Sequence, residues 1–259
     1  ALFNEFERLI RRDPGRRGLL GKTQTGEDLC LGHLHRAADD LAQNGRSILV
    51  TTGFFIPHGQ PPAAETDGPL GTMLLAAALR AVGYKVTVVT DHFCGTAVTA
   101  AAVAFGLPAE TVRTVERPEE RAFQQISREI QAGEFSHLIA IERVGPSHDE
   151  ESLRRQSSPN SATLKRFLED VPHQSRGHCH NMRGDNIDAQ SGPIHELFDL
   201  ATTARHPVKT IGIGDGGNEI GMGSIPWEQL RQVLTGPHHG RIICRIPTDW
   251  TILAGTSNW

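Results

Sequence analysis

The residue types that could build a reaction site are concentrated in one stretch, Thr210-Ile-Gly-Ile-Gly-Asp-Gly-Gly-Asn-Glu-Ile-Gly-Met-Gly223. Six glycines fall between 212 and 223, and among them sit Asp215, Asn218 and Glu219. Glycine permits φ > 0 and lets a ligand approach the backbone. Two carboxylates and a carboxamide crowded into such a loop, directly after the short apolar run 208–213, read as a ligand site. A plain strand-to-helix connection rarely needs twelve residues. The structural alternative for Asp215 is a turn cap bonding its own backbone.

Three named motifs are matched only in part or not at all. Gly212-x-Gly214-x-x-Gly217 matches the dinucleotide fingerprint by letter. Asp215 would then face the pyrophosphate, and no acidic residue follows at the ribose spacing of about 20. Gly21-Lys22-Thr23 imitates the end of a P-loop, but Arg16 stands where its first glycine belongs. No Gly-x-Ser-x-Gly elbow occurs.

The elements that would carry the loop alternate along the chain. Apolar strands are expected at 47–53, 85–91, 111–115, 137–143 and 208–213, with a further strand at 241–246. Helices are expected at 3–12, 29–43, 69–82, 95–105, 118–131, 187–204 and 225–234. Asp67 reads as the cap of the helix over 69–82, and Leu70, Met73, Leu74, Ala77, Ala78, Ala81 and Val82 as its inward face. This rhythm predicts an α/β fold, a mostly parallel sheet with helices on both faces in a Rossmann-like three-layer arrangement. One domain over 1–259 is expected. The polar stretch 144–186 interrupts the alternation, holds a short helix within 160–170, and reads as an insert or lid near the site. Thr52-Gly53, Asp91, Glu142-Arg143 and Asp215 each fall at a strand end, and open α/β sheets bind ligands outside the carboxyl ends of strands.

Composition bounds the function. The chain has 259 residues, 38% apolar, with a net charge of −4. Its basic residues are scattered, and one Tyr and three Trp make poor stacking platforms, so nucleic acid is not an expected partner. No apolar run approaches the ~20 residues that span a bilayer, and no signal peptide is read. Cys30, Cys94, Cys179 and Cys244 are too dispersed for a zinc site or a disulfide framework, so a reducing cytosol is the default. Arg16-Arg17 reads as solvated surface. His178-Cys179-His180 is poorly spaced for chelation, whereas Asn181, Arg183 and Asp185 suit polar contacts to a small ligand. Arginine in particular offers a bidentate fork to carboxylates.

Glu65-Thr-Asp-Gly-Pro69, Val89-Thr-Asp91, Glu142-Arg143, Asn181-Met-Arg-Gly184, the glycine loop and Ser257-Asn-Trp259 together resemble the catalytic domain of the D-glutamate cyclase family. These motifs span 65–259. The resemblance implies reversible cyclisation of D-glutamate to 5-oxo-D-proline with loss of water, a hydro-lyase reaction of D-amino acid metabolism. It further implies a single-domain, bacterial-type, cytoplasmic form, or a mitochondrial one if the chain belongs to an animal-type two-domain protein. The family pattern continues past Ser-Asn-Trp, so a tail is expected to be missing.

For that reaction, the site residues are assigned as follows. Arg143 and Arg183 pair with substrate carboxylates. Asp215 and Glu219, with Glu142, hold a divalent cation, and oxygen-only donors favour Mg²⁺ or Mn²⁺ over zinc. Asp67, Asp91 or Asp185 carries the proton. Thr52, Gly53, Thr66, Gly68, Asn181, Gly216, Gly217, Asn218, Ser257 and Asn258 complete the substrate contacts. No nucleotide or flavin is expected, the partner is a small molecule, and a homo-oligomer is allowed. Two other readings stay open: a Mg²⁺-dependent binder of nucleotide or phosphosugar, its backbone N–H groups on phosphate, and a non-catalytic module for a small amino acid.

Overall fold

Ser47–Thr52 (β1) is built from Ile48, Leu49 and Val50, all without exposed surface, and forms the middle of a parallel sheet. Residues 2–23, 26–156, 162–236 and 238–255 are described by a computed structural model. In chain order the other elements are α1 (Leu2–Ile10), α2 (His33–Asn44), β2 (Phe55–Ile56), β3 (Ala63–Ala64), α3 (Asp67–Ala81), β4 (Lys85–Asp91) and α4 (His92–Ala104). There follow β5 (Val112–Val115), α5 (Arg121–Gln131), β6 (His137–Ile141), α6 (Glu150–Gln156), α7 (Ala162–Asp170), α8 (Ile194–Ala201), β7 (Lys209–Gly214), α9 (Trp227–Val233), α10 (His239–Ile242) and β8 (Trp250–Leu253).

The strand order is β5-β4-β1-β6-β7-β8. β1 pairs in parallel with β4 and β6, bringing Val50 opposite Val88 and Ile139, and β4 pairs in parallel with β5. Strands buried on both faces read as near-continuous apolar runs, which is why these were legible. Helices α3 and α4 pack on each other and on β1, β4 and β5, while α5 and α8 form a second pair against β5 and β4. The fold is therefore an α/β layered sheet of the expected class. Among the described residues no helix is long and apolar enough to cross a membrane.

The chain forms two compact units. One comprises Ala1–Ala37, Val144–Asp188 and Gly212–Trp259; the other comprises Ala38–Arg143 and Ala189–Ile211. The stretch read as an insert thus belongs to the first unit, where it carries α6 and α7.

Several local expectations change. In α3 the buried residues are Gly68, Pro69, Thr72, Met73, Ala76 and Leu79, whereas Leu70, Leu74 and Val82 are 45%, 64% and 72% exposed. A helix apolar nearly all round has no periodicity to choose its face, and the small residues take the closest approach to the sheet. Asp67 is the first residue of α3 rather than its cap; Thr66 is the cap residue, and the Asp67 carboxylate accepts from the N–H of Gly68 at 2.8 Å. The expected strand 241–246 is instead the end of α10 followed by an isolated bridge from Cys244 to Ser147. The expected helix 187–204 shrinks to α8, preceded by a 3-10 turn at Asp188–Gln190. Phe55 pairs with Ala64 and Ile56 with Ala63 in a short antiparallel ribbon between β1 and α3 in the chain.

Candidate functional site

In the first unit β7 delivers Asp215, Gly216, Gly217, Asn218 and Glu219 into a tight loop. The Glu219 carboxylate folds back on its own loop, accepting from the N–H of Gly216 at 2.9 Å and of Gly217 at 2.8 Å. Only a loop bare of side chains closes this way. A Cβ on Gly216 would lie 2.8 Å from Glu219 Oε1, 2.9 Å from Asn218 Oδ1 and 2.7 Å from Met182 Sδ. The loop is stitched to its surroundings by Gly145 N–H to the Asn218 carbonyl (3.0 Å), Cys244 N–H to the Gly217 carbonyl (2.9 Å) and Asn218 Nδ2 to the His180 carbonyl (2.8 Å).

Asp215 and Glu219 are both buried, 5% and 4% exposed. Burial pushes the Glu219 carboxyl up to about 7, and the neighbouring Asp215 charge pushes the same way; the backbone N–H groups of Glu219 itself and of Gly217, and then Arg17, oppose them. Arg17, expected on the solvated surface, instead forms an ion pair with Asp215. It is held in place by the Asp13 turn, whose carboxylate accepts from Arg17 N–H (2.9 Å) and Gly18 N–H (2.8 Å), and by Thr235 N–H on the Arg17 carbonyl (2.8 Å). The one sequence signal was an acidic cap four residues before the arginine.

Asn218 Oδ1 is buried without a hydrogen-bond partner among the described residues. A buried oxygen left unsatisfied beside two carboxylates is a donor set of oxygens only, suited to a hard divalent cation. Asp215, Glu219 and Asn218 therefore fit such an ion.

Asn181, Arg183 and Asp185 also lie in the first unit, on one loop. Asn181 Oδ1 accepts from the N–H groups of Arg183 (2.9 Å) and Asp185 (3.0 Å), and its Nδ2 donates to Asp185 Oδ2 at 2.9 Å. Asn181 thus shapes the loop. The exposed Arg183 guanidinium makes no hydrogen bond or ion pair with another described residue.

In the second unit Thr52, Gly53, Gly68, Asp91, Glu142 and Arg143 gather at the ends of β1, β4 and β6. Arg143, 1% exposed, donates to Asp91 Oδ2, to the Gly53 carbonyl at 2.7 Å and to the Gly192 carbonyl at 3.0 Å. Asp91 also caps α4 by accepting from Cys94 N–H at 3.1 Å. The two Nη atoms of Arg143 are thus engaged inside the unit, its Nε is buried without a hydrogen-bond partner among the described residues, and Asp91 is paired with Arg143. Gly68 brings α3 close to the strand ends, since a Cβ there would stand 2.8 Å from Thr52 Oγ1 and 3.0 Å from Glu142 Cβ. Glu142 itself has φ 47, a left-handed conformation costly for a residue with a Cβ. Thr66 is exposed at the mouth of α3. Ser257 and Asn258 lie outside the described residues.

The D-glutamate cyclase-like, C-terminal family model matches residues 6–158 and 151–259, two overlapping stretches that take in nearly the whole chain. The chain belongs to that family. Human "D-glutamate cyclase, mitochondrial" is 31% identical over 98% of this chain, and the chain spans 36% of that relative's length. A flavoprotein of DNA/pantothenate metabolism from Streptococcus pneumoniae shows 15% identity over 65% of this chain and 69% of its own, with a TM-score of 0.27, too low to carry an argument. For this D-glutamate cyclase-like chain, the glycine loop is the element that concentrates buried acids.

Proposed function

We propose that this chain catalyses the reversible cyclisation of D-glutamate to 5-oxo-D-proline, a hydro-lyase reaction. The observation that carries the reading is the buried Asp215–Glu219 pair on the glycine loop of a D-glutamate cyclase-like chain. In the reaction the α-amine attacks the γ-carboxyl of the same molecule, so holding the two ends together is the first contribution, worth up to about 7–11 kcal/mol. Arg183, with its unengaged guanidinium, takes a substrate carboxylate. Arg143 serves as a positioning residue, fixing Asp91 and the Gly53 turn. Asp67 and Asp185 remain the carboxylates assigned to proton transfer.

Asp215, Glu219 and Asn218 would hold a divalent cation, Mn²⁺ or Mg²⁺, with Glu142 proposed as a further ligand on the sequence reading. Such an ion supplies Lewis acidity that polarises a carboxyl toward attack. Glu219 without a cation is itself a carboxyl with a proton affinity near neutrality, suited to general acid–base work.

The test is chiral chromatography of D-glutamate and 5-oxo-D-proline after incubation in both directions, with EDTA and with Mn²⁺ or Mg²⁺ restored. Interconversion that stops on chelation and returns with the ion supports the whole reading. Activity indifferent to EDTA keeps the reaction and moves Asp215 and Glu219 to acid–base roles. No conversion under any condition rules the reaction out.

A further inference from the structure

Within the first unit a cavity of about 340 Å³ opens between α9, α10 and the segment after α7, and neither Asp215 nor Glu219 lines it. Its walls carry Arg231, His238, His239 and Arg241, with Asp170 as the one acid. The four basic side chains lie at most ten residues apart in sequence, yet they are not equivalent. Arg231 is compensated: its guanidinium reaches Glu228 at 3.2 Å and Asp170 at 3.6 Å, and lies over the Trp227 ring at 5.6 Å.

Arg241 has no such partner. Its side chain makes no hydrogen bond or ion pair with a described residue, and its Nε is buried and unsatisfied, as is Nε of Arg231. The guanidinium rests on the backbone of Gly184, where a Cβ would come within 2.4 Å of Nη2. A half-buried cation with neither an acid nor full hydration is costly, and the cost falls when an anion enters. The walls are also fixed in advance. Trp227 is 1% exposed, packs edge-on against Phe167 with ring centroids 5.3 Å apart, and donates its indole N–H to the Gly240 carbonyl at 2.7 Å. His239 Nδ1 is bonded to the Gly236 carbonyl, which turns Nε2 away from that contact.

We propose that this cavity is a binding site for a small phosphate-bearing anion, with Arg241 as its principal ligand and His238 and His239 as further donors. Donors from several directions suit a tetrahedral oxyanion better than a planar carboxylate, and the volume exceeds that of phosphate alone, leaving room for a small organic body. Because Arg241 lies on Gly184, an anion held here also braces the loop that carries Asn181 and Arg183. The residues that would hold the anion are distinct from those assigned to the cyclisation above, and the two are linked only through the 181–185 loop.

The experiment is calorimetric titration and thermal melting of the whole chain with inorganic phosphate, with D-glutamate as the carboxylate arm, at matched ionic strength. Saturable phosphate binding is expected, with a rise in Tm of roughly 4–8 °C at a hundredfold excess over Kd. Arg241→Met should weaken phosphate binding at least tenfold, while Arg80→Met, which removes an exposed cation on the other unit, leaves it unchanged. The double change His238→Gln and His239→Gln keeps Arg241 and should also weaken phosphate, covering the case in which Arg241→Met does not fold. Non-saturable binding, an affinity equal in wild type and in both cavity variants, or a preference for D-glutamate at this site would each overturn the proposal.

Discussion

Arg17 and Asp215 are 198 residues apart in sequence and joined as an ion pair, with Asp215 nearly buried and Arg17 one-third exposed. The pair sets the charge balance of the glycine loop. Glu219 is buried beside the Asp215 charge, and burial first, then that charge, raises its proton affinity, against which Arg17 acts.

Replacing Arg17 by Met should therefore act on both stability and chemistry. Asp215 loses the Arg17 charge at a site only partly open to water, so a loss of roughly 1–3 kcal/mol is expected in urea unfolding. Turnover should fall at least tenfold, with partial recovery in Arg17→Lys. Wild-type turnover in Arg17→Met would detach the pair from function.

The Glu219 carboxyl is raised from 4.5 to about 7 by burial and by Asp215. Between these values the folded chain binds more protons than the unfolded chain, so this group's contribution is present below pH 4.5 and is lost as pH rises through 7. Glu219→Gln should flatten that part of the stability profile in metal-free protein and reduce turnover by about a hundredfold or more. Unfolding midpoints measured from pH 4.5 to 8 in both proteins check the slope.

His148 contributes with the opposite sign. It is buried, bonded through Nδ1 to Ser152 Oγ at 2.9 Å, and lowered by burial from 6.5 to about 3. The unfolded chain binds the extra proton between these values, so stability is full above pH 6.5 and declines as the pH falls toward 3, by up to about 1.4 kcal/mol per pH unit. His148→Asn should remove that acid-side slope without altering turnover at neutral pH.

Arg143 and Asp91 form a buried pair whose halves depend on each other. Either Arg143→Met or Asp91→Asn alone leaves an uncompensated buried group and should cost about 3–5 kcal/mol. The double variant should recover a large part of that loss. Additive losses in a double-mutant cycle would show that the two act independently.

Gly216→Ala tests the closeness of the loop. The new Cβ would press on Met182 Sδ, Glu219 Oε1 and Asn218 Oδ1, all under 3.0 Å. The thioether can move, whereas Glu219 and Asn218 are held by backbone groups, so the carboxyl is displaced. Turnover should drop more than tenfold, with far-UV circular dichroism unchanged.

The order of strands and helices was determined by the sequence wherever burial on both faces left a continuous apolar run, as in β1, β4 and β6, or where periodicity picked out one face, as in α5 and α8. The glycine loop was legible because Asp215, Asn218 and Glu219 are neighbours in the chain, and the family motifs are likewise local. The inward face of α3 was not legible, because leucine and alanine occupy nearly every side of it. Local apolar content also could not distinguish a strand at 241–246 from the short helix and isolated bridge that form there. Tertiary structure decided the partners. Arg17 reaches Asp215 only after the Asp13 turn is folded, and Arg143 meets Asp91 only when β4 and β6 flank β1. Arg241 lies over Gly184 because Trp227 anchors Gly240. A charge in a sequence carries no record of which opposite charge it will face, since that pairing is set by long-range packing rather than by spacing along the chain.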